Sequence, residues 1–226
     1  QLRSLVSERA FTGETMLLNM GPQHPSTHGV LRLLLELDGE SVVSCVPDVG
    51  YLHTGIEKTA EDKTYTKIIP LTDRMDYLAS LSNNLGYVLA VEKLMDTQVP
   101  LRAQYVRVIL CELTRITSHL VWLGTHALDI GAMSVFLYCF REREIVMDIF
   151  EMVSGQRMMA SYFRPGGLWR DLPPGFEEAV RDFLKLMPER IDEYEALLDK
   201  NPIWLERTQH IGVISPKDAI AWGMSG

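Results

Sequence analysis

The sequence has few cysteines, and they are not arranged for metal or disulfide chemistry. Its 226 residues contain three, Cys45, Cys111 and Cys139, which lie far apart and form no CxxC motif. An odd number of widely spaced thiols excludes a disulfide framework, a cysteine-ligated iron–sulfur cluster and a zinc ribbon. We therefore expect reduced thiols, on the cytoplasmic side of a membrane, and no metal held by this chain.

Nucleotide motifs and basic charge are also missing. The chain has neither a GxGxxG motif nor a Walker loop, so no nucleotide site of its own is expected. Lys and Arg number 22 against 30 Asp and Glu, a net charge of −8. A nucleic-acid binder would need a basic field, so that class of function is excluded.

A membrane span is not expected either. Residues 120–140 contain only one charged residue, Asp129, but an aspartate at the centre of a span costs about 2.5–3.5 kcal/mol. We therefore expect this stretch to lie in the protein interior. The chain starts at Gln1 without a signal-peptide pattern, and we expect that it is trimmed there.

What is present is an ordinary globular composition, with 46% hydrophobic and 23% charged residues. Alternating leucines and the Asp38-Gly39 turn predict a β unit over residues 1–50, with an ordered loop between glycines 21 and 29. The strands are predicted at 14–20, 30–37 and 41–46.

Helical periodicity dominates residues 51–226, so the expected fold class is α+β and mainly helical. Thr72 is predicted to cap a helix that reaches Asp96, and Pro100 to open the next helix. Gly155 is expected to close a third helix, and Ser215-Pro216 to open a short last one. The helices are predicted at 72–96, 100–128, 132–153, 174–200 and from 216.

Two histidines, His24 and His28, stand four residues apart, a spacing that on a helix would suggest zinc. Pro25 disfavours helical geometry at this point, so two loop histidines bonded to backbone are an equal alternative. Zinc hydrolase chemistry with His24, His28 and His53 also stays open on composition.

Asp129 is the second candidate, since an acid in an apolar stretch needs a partner if it is buried. His126 is the local choice, and a histidine from elsewhere in the fold is the other. Alternatively, Asp129 caps the helix that begins near Ala132. Tyr77 is the third candidate, either a boundary residue with its hydroxyl in water or a donor to a carbonyl in a pocket.

Eight segments spread along nearly the whole chain share the wording of one protein family. They are GPQHPSTHGVLR (21–32), GYLHTGIEK (50–58), DRMDYL (73–78), LAVEKL (89–94), RVILCELTRITSHL (107–120), ALDIGAM (127–133), FREREIVMDIFE (140–151) and RPGGLWRDLP (164–173). In this order they closely resemble the D-type subunit of bacterial NADH-quinone oxidoreductase, respiratory complex I, a family related to the large subunit of nickel-iron hydrogenases. The resemblance implies a hydrogenase-large-subunit-like fold. It also implies an N-terminal fragment, because family members continue well beyond residue 226.

The resemblance implies that a quinone head group binds between His28 and Tyr77, with one quinone carbonyl facing each side chain. It makes Asp129 the partner of His28, so that His28 and Tyr77 supply protons while Asp129 keeps His28 charged until reduction. Further residues at matching positions line or support the same cavity: His24, Arg74, Thr125, Phe136 and Phe140.

Electrons would come from a 4Fe-4S cluster held by a small partner subunit of the B type. Subunits of the C and I types and a membrane subunit of the H type complete the implied set of partners, while NAD and FMN belong to distant subunits. The implied location is peripheral, on the cytoplasmic side of the bacterial inner membrane. The choice between ubiquinone and menaquinone stays open.

The chain departs from hydrogenases where their nickel ligands would stand. An RxCGxC-type motif is replaced by residues 74–79, with Asp76 and Ala79 at the cysteine positions. Nickel would lack soft ligands there, which argues against a hydrogenase-like large subunit. Thr54 stands where mitochondrial relatives would have an arginine near the cluster. A purely structural scaffold is a further alternative for the function of the chain.

Overall fold

A computed structural model describes residues 15–224, and the chain divides into two compact units, Gln1–Asp62 and Lys63–Gly226. The sequence-based boundary at residue 50 lies before this division. The architecture is α+β and mainly helical, as the sequence predicts.

The first unit is an antiparallel sheet of strands β1 (Met16–Met20), β2 (Arg32–Asp38) and β3 (Ser41–Asp48), in the order β1-β2-β3. The Asp38-Gly39 turn joins β2 to β3, and Gly39 takes the positive φ of 59° that this turn needs. Leu35 is the buried leucine at the centre of β2. All three predicted strands are confirmed, and a short helix α1 (Ile56–Glu61), absent from the prediction, follows them.

The second unit is built of helices with one two-residue hairpin, β4 (Phe163–Arg164) and β5 (Gly167–Leu168). Its helices are α2 (Tyr65–Thr72), α3 (Ser80–Met95), α4 (Leu101–Asp129), α5 (Met133–Ser154), α6 (Phe176–Leu198), α7 (Pro202–Thr208) and α8 (Pro216–Ala221). The bounds of α4, α5 and α6 match the prediction within about three residues. Gly155 closes α5 with φ 80°, and the Ser215 hydroxyl accepts from the Asp218 N–H at the start of α8, both as predicted.

The predicted start of a helix at Thr72 is wrong. Thr72 is the last residue of α2, and its hydroxyl donates to the Ile69 carbonyl instead of capping the turn that follows. Residues 73–79 are a chain of turns, and α3 begins only at Ser80. We call residues 73–79 the connecting segment.

The apolar stretch 120–140 is two helix ends rather than one helix. Helix α4 ends at Asp129, Gly131 turns the chain with φ 102°, and α5 begins at Met133. The two helices then pack closely, because a Cβ on Gly124 would lie 3.3 Å from the Phe136 Cα. Between residues 15 and 224, no helix combines the length and apolar character needed to cross a membrane.

A buried ion pair connects α3, α4 and the β4–β5 hairpin. Arg107 donates twice to Glu92, with Nη1–Oε2 3.0 Å and Nη2–Oε1 2.6 Å, and the two side chains are 3% and 6% exposed. Arg107 also donates to the carbonyls of Arg164 and Gly167, and the Gly166 N–H donates to Glu92. Burial pushes the pKa of Glu92 upward, but the bonds from Arg107 and Gly166 outweigh it and lower that pKa overall.

Replacing Glu92 should strongly destabilise the fold, since Glu92→Ala leaves Arg107 buried without its counter-ion. We expect a loss of about 3–5 kcal/mol, measured by urea unfolding at pH 7. Because the pKa of Glu92 is lowered, the loss should shrink as the pH falls through that pKa. Asp182→Ala, which removes an exposed partner of Lys185, is the matched control and should change little. Equal unfolding midpoints for the two variants would contradict this account.

Candidate functional site

The first group of predicted site residues lies in the loop that links β1 to β2. Its entrance requires glycine, because Gly21 has φ 88° and a Cβ there would come within 2.1 Å of the Leu31 carbonyl oxygen. A 3-10 helix, Pro25–Thr27, forms the body of the loop. The loop therefore contains a short regular element that is held by local contacts.

His24 ties this loop together through its side chain and its backbone. Its Nδ1 accepts from the Ser26 N–H at 3.1 Å, which caps the 3-10 helix. The hydroxyl of the buried Thr27 donates to the His24 carbonyl at 2.9 Å. Because Nδ1 is an acceptor, the neutral ring carries its hydrogen on Nε2.

His28 follows the 3-10 helix in the left-handed region, with φ 49° and ψ 55°, and it is exposed. A non-glycine residue in this conformation costs free energy and is found mainly where the surroundings require it. The two histidines thus differ, since His24 supports the loop and His28 is presented by it. Among residues 15–224, no group of three or more His, Cys, Asp or Glu side chains could hold a metal ion. The zinc hydrolase alternative therefore has no structural support.

The second group, Arg74 and Tyr77, lies in the connecting segment of the other unit. Asp76 Oδ1 accepts from the Leu78 N–H at 3.2 Å, and the Asp76 carbonyl accepts from Ala79 N and Asn83 Nδ2. Arg74 donates back to the Pro70 carbonyl at 2.6 Å. Tyr77 is 52% exposed on this tied backbone. Tyr77 therefore stands on a turn, and the expected helical setting is wrong.

The third group surrounds the turn between α4 and α5. Thr125 donates its hydroxyl to the Val121 carbonyl at 2.7 Å, one turn before Asp129. On α5 the rings of Phe136 and Phe140 lie 4.2 Å apart, with Arg143 above Phe140 at 5.5 Å. The second unit thus carries predicted site residues at this turn and in the connecting segment. The first unit carries them in the loop between β1 and β2, residues 21–31, which we call the histidine loop.

Asp129 is exposed, so the expectation that it is buried is wrong. The reason is the division of the apolar stretch, which puts Asp129 in the last turn of α4 beside a surface turn. His126, the local partner considered, instead stacks on Trp122 and meets the edge of Trp204. The capping alternative is also wrong, because Ala132 is the N-cap of α5 and no side chain caps it.

Sequence reasoning missed a buried acid at the start of the connecting segment. Asp73 is 0% exposed, and its carboxylate accepts from Asn84 Nδ2 at 2.7 Å and from the Ser161 hydroxyl. Burial raises the pKa of Asp73, against the hydrogen bonds from Ser161 and Asn84. No local signal marks this residue, since one partner lies 88 positions away in the sequence.

An apolar groove of about 780 Å³ lies between α4 and α6 in the second unit. Its walls include Leu101, Tyr105, Ile109, Phe176 and Leu184. None of the predicted site residues lines this groove, so it does not support the predicted site.

Comparison with known proteins shows which family this chain belongs to. Residues 129–226 match the family described as "Respiratory-chain NADH dehydrogenase, 49 Kd subunit". The chain is 68% identical over 225 residues to the D 2 subunit of NADH-quinone oxidoreductase from Roseiflexus sp., covering 99% of this chain. This chain belongs to the D-type subunit family of NADH-quinone oxidoreductase.

Two further members of the D-type family are similar along almost the same region. Identity is 70% over 213 residues with the D 2 protein of Chloroflexus aurantiacus and 64% over 214 residues with the D 1 protein of Solibacter usitatus, covering 94% and 95% of this chain. The matched regions are 54%, 52% and 52% of the Roseiflexus, Chloroflexus and Solibacter proteins. The chain therefore spans about half the length of the curated relatives it matches.

The cysteines of this D-type family member lie in three different elements, exposed Cys45 on β3, half-buried Cys111 on α4 and buried Cys139 on α5. Burial raises the pKa of both helical thiols to about 11. At pH 8 they should therefore stay protonated and unreactive.

Iodoacetamide at pH 8 should alkylate Cys45 well before the other two cysteines in the folded protein, because thiolates react and thiols do not. Peptide mass spectrometry over time would measure the order, and all three rates should become similar in urea. Alkylation of Cys139 as fast as Cys45 without urea would contradict the burial of Cys139 on α5.

Proposed function

We propose that this chain provides the quinone-reducing site of an NADH:quinone oxidoreductase. The observation that carries the proposal is identity of 64–70%, over 94–99% of the chain, to proteins named as D-type subunits of NADH-quinone oxidoreductase. Such similarity extends through both compact units, so it includes the histidine loop, the connecting segment and the α4–α5 turn.

In this proposal the quinone head group binds between His28 and Tyr77, with one carbonyl oxygen near each side chain. The proposal is supported by how each residue is held. His28 is exposed at the end of a loop tied by His24, and Tyr77 is half exposed on a turn tied by Asp76. A polar side chain that points outward from a fixed backbone can hold a ligand in one orientation.

The proton balance explains why these residue types fit. Reduction of a quinone to a quinol takes two electrons and two protons, one proton for each oxygen. Two negative oxygens would be costly in a pocket of low dielectric, so proton donors must lie within hydrogen-bond reach. Tyr77 would donate its phenolic proton to one oxygen and His28, as an imidazolium, would donate to the other. Both residues would then regain protons from solvent.

Asp129 is proposed as the carboxylate that keeps His28 protonated until reduction. Its place in the fold supports a role beyond stability, because a negative charge in the last turn of α4 opposes the helix dipole. Loss of the imidazolium charge would leave Asp129 without its counter-charge. That local change could bias a two-state element in the wider complex and so connect reduction to proton translocation.

The remaining residues would shape the site. Phe136 and Phe140 would offer apolar surface to the quinone ring, while Arg74 would hold the backbone near Tyr77 and His24 the backbone near His28. Thr125 would support the end of α4 from the turn before Asp129. These roles follow the resemblance and the local contacts of each residue.

Electrons are proposed to come from a 4Fe-4S cluster in a small partner subunit of the B type. The sequence has three cysteines, fewer than the four thiolates that usually ligate such a cluster. Subunits of the C and I types, a membrane subunit of the H type and distant sites for NAD and FMN would complete the complex. We propose a peripheral location on the cytoplasmic side of the bacterial inner membrane.

Tyr77→Phe in the full-length protein, within the assembled complex, tests the proposed donor. Loss of the hydroxyl should lower kcat for a short-chain quinone analogue about 10²-fold or more, the usual contribution of a positioned acid. Tyr105→Phe, which alters another exposed tyrosine of the same unit, should leave kcat unchanged. A full rate in Tyr77→Phe, with normal assembly, would favour the scaffold alternative.

Asp129→Asn tests the carboxylate. The change keeps the size of the side chain and removes its charge, so assembly should be normal while quinone reduction or its coupling to proton translocation falls. The measurement is the ratio of protons moved to NADH oxidised in sealed vesicles, together with kcat. If kcat and the ratio of protons moved to NADH oxidised were both unchanged, the role proposed for Asp129 would be rejected.

A further inference from the structure

The buried acid Asp73 marks the start of the connecting segment. One of its oxygens accepts from Asn84 Nδ2, and the other accepts from the Ser161 hydroxyl. A charged or neutral acid in the interior costs free energy that an apolar residue would not. Burial of Asp73 therefore suggests that its contacts hold a particular part of the structure in place.

The Asp73 carboxylate joins three pieces of the second unit. Asp73 follows α2, Asn84 lies on α3, and Ser161 lies in the run before β4. Asn84 Nδ2 also donates to Thr72 Oγ1 at 2.8 Å, while its Oδ1 is buried without a hydrogen-bond partner among the described residues. Turning the amide around would set Oδ1 against Asp73, so the carboxylate fixes its orientation.

Ser161 is held under strain on the other side of Asp73. Its φ is 41°, in the left-handed region, which is costly for serine. Arg164 Nη1 donates to the Ser161 carbonyl and, at 2.8 Å, to the Phe163 carbonyl. In this conformation the Ser161 hydroxyl donates to Asp73.

The chain is thus attached to the run 158–161 at the first residue of the connecting segment and at the residue directly after it. Asp73 binds Ser161 at one end, and the Ser80 hydroxyl donates to the Met158 carbonyl at 2.6 Å at the other. Between these attachments the side chains of Arg74, Met75, Asp76 and Tyr77 are exposed. The position of Tyr77 therefore depends on the attachment of a segment only seven residues long.

We propose that Asp73 is a positioning residue for quinone reduction, holding the connecting segment so that the Tyr77 hydroxyl stays in place for a quinone carbonyl. The proposal rests on the function proposed above. Asp73 acts through Tyr77 from the interior and does not touch the quinone.

A double-mutant cycle in the full-length protein, within the assembled complex, tests this inference. Asp73→Asn keeps the shape of the side chain, and it should lower kcat/KM for a short-chain quinone analogue about 10–100-fold, the effect of a misplacement near 1 Å. In a Tyr77→Phe background the same change should have almost no effect, because the hydroxyl it positions is gone. Ser161→Ala should behave in the same way with a smaller loss.

Tyr194→Phe is the matched control, since Tyr194 is buried on α6 and donates to buried Glu142 at 2.5 Å. It should lower the unfolding midpoint without lowering kcat/KM for the quinone. Oxidation of NADH by a soluble electron acceptor should be unchanged in every variant, which would show that the rest of the complex is intact.

The outcomes separate the two proposals. The positioning role of Asp73 would be overturned if the double variant lost kcat/KM by the product of the two single losses, or if Asp73→Asn kept a full kcat/KM. In both cases the proposed role of Tyr77 as a proton donor would stand. If Asp73→Asn does not assemble, the Ser161→Ala cycle decides in its place by the same criteria. A full rate in Tyr77→Phe alone would remove the proposed function and this inference together.

Discussion

The buried ion pair of Arg107 and Glu92 is the interaction on which the packing of much of the second unit depends. One guanidinium binds a carboxylate on α3 and two carbonyls of the β4–β5 hairpin, so three pieces of chain meet at a single charge. The hairpin then sets Arg164, which holds Ser161, which in turn binds Asp73. A series of polar contacts thus runs from the second turn of α4 to the backbone that carries Tyr77.

Elements whose signals are local could be predicted from the sequence. The Asp38-Gly39 turn, the proline before α4 and the glycine after α5 act within a few residues, and the structure agrees with them. Thr72 shows the limit of such signals. Its hydroxyl can either cap the next helix or bond back to the preceding turn. In the structure it donates back to the Ile69 carbonyl and accepts from the amide of Asn84, which is distant in sequence.

Burial of the acids could not be predicted in the same way. Asp129 has apolar neighbours in sequence but is exposed, because Gly131 turns the chain beside it. Asp73 has polar neighbours and is fully buried, because Asn84 and Ser161 surround it in space. The family resemblance supplied candidate residues at three places in the chain, and the groups they form within each unit needed coordinates.

The bond between the Ser26 N–H and His24 Nδ1 makes two neighbouring imidazoles chemically different. If His24 were replaced, the Ser26 N–H would lose its acceptor and the 3-10 turn would lose its cap. The backbone that holds His28 in the left-handed region would then be less restrained. A substitution at the first histidine would therefore change how the second is presented, although the second imidazole is itself untouched.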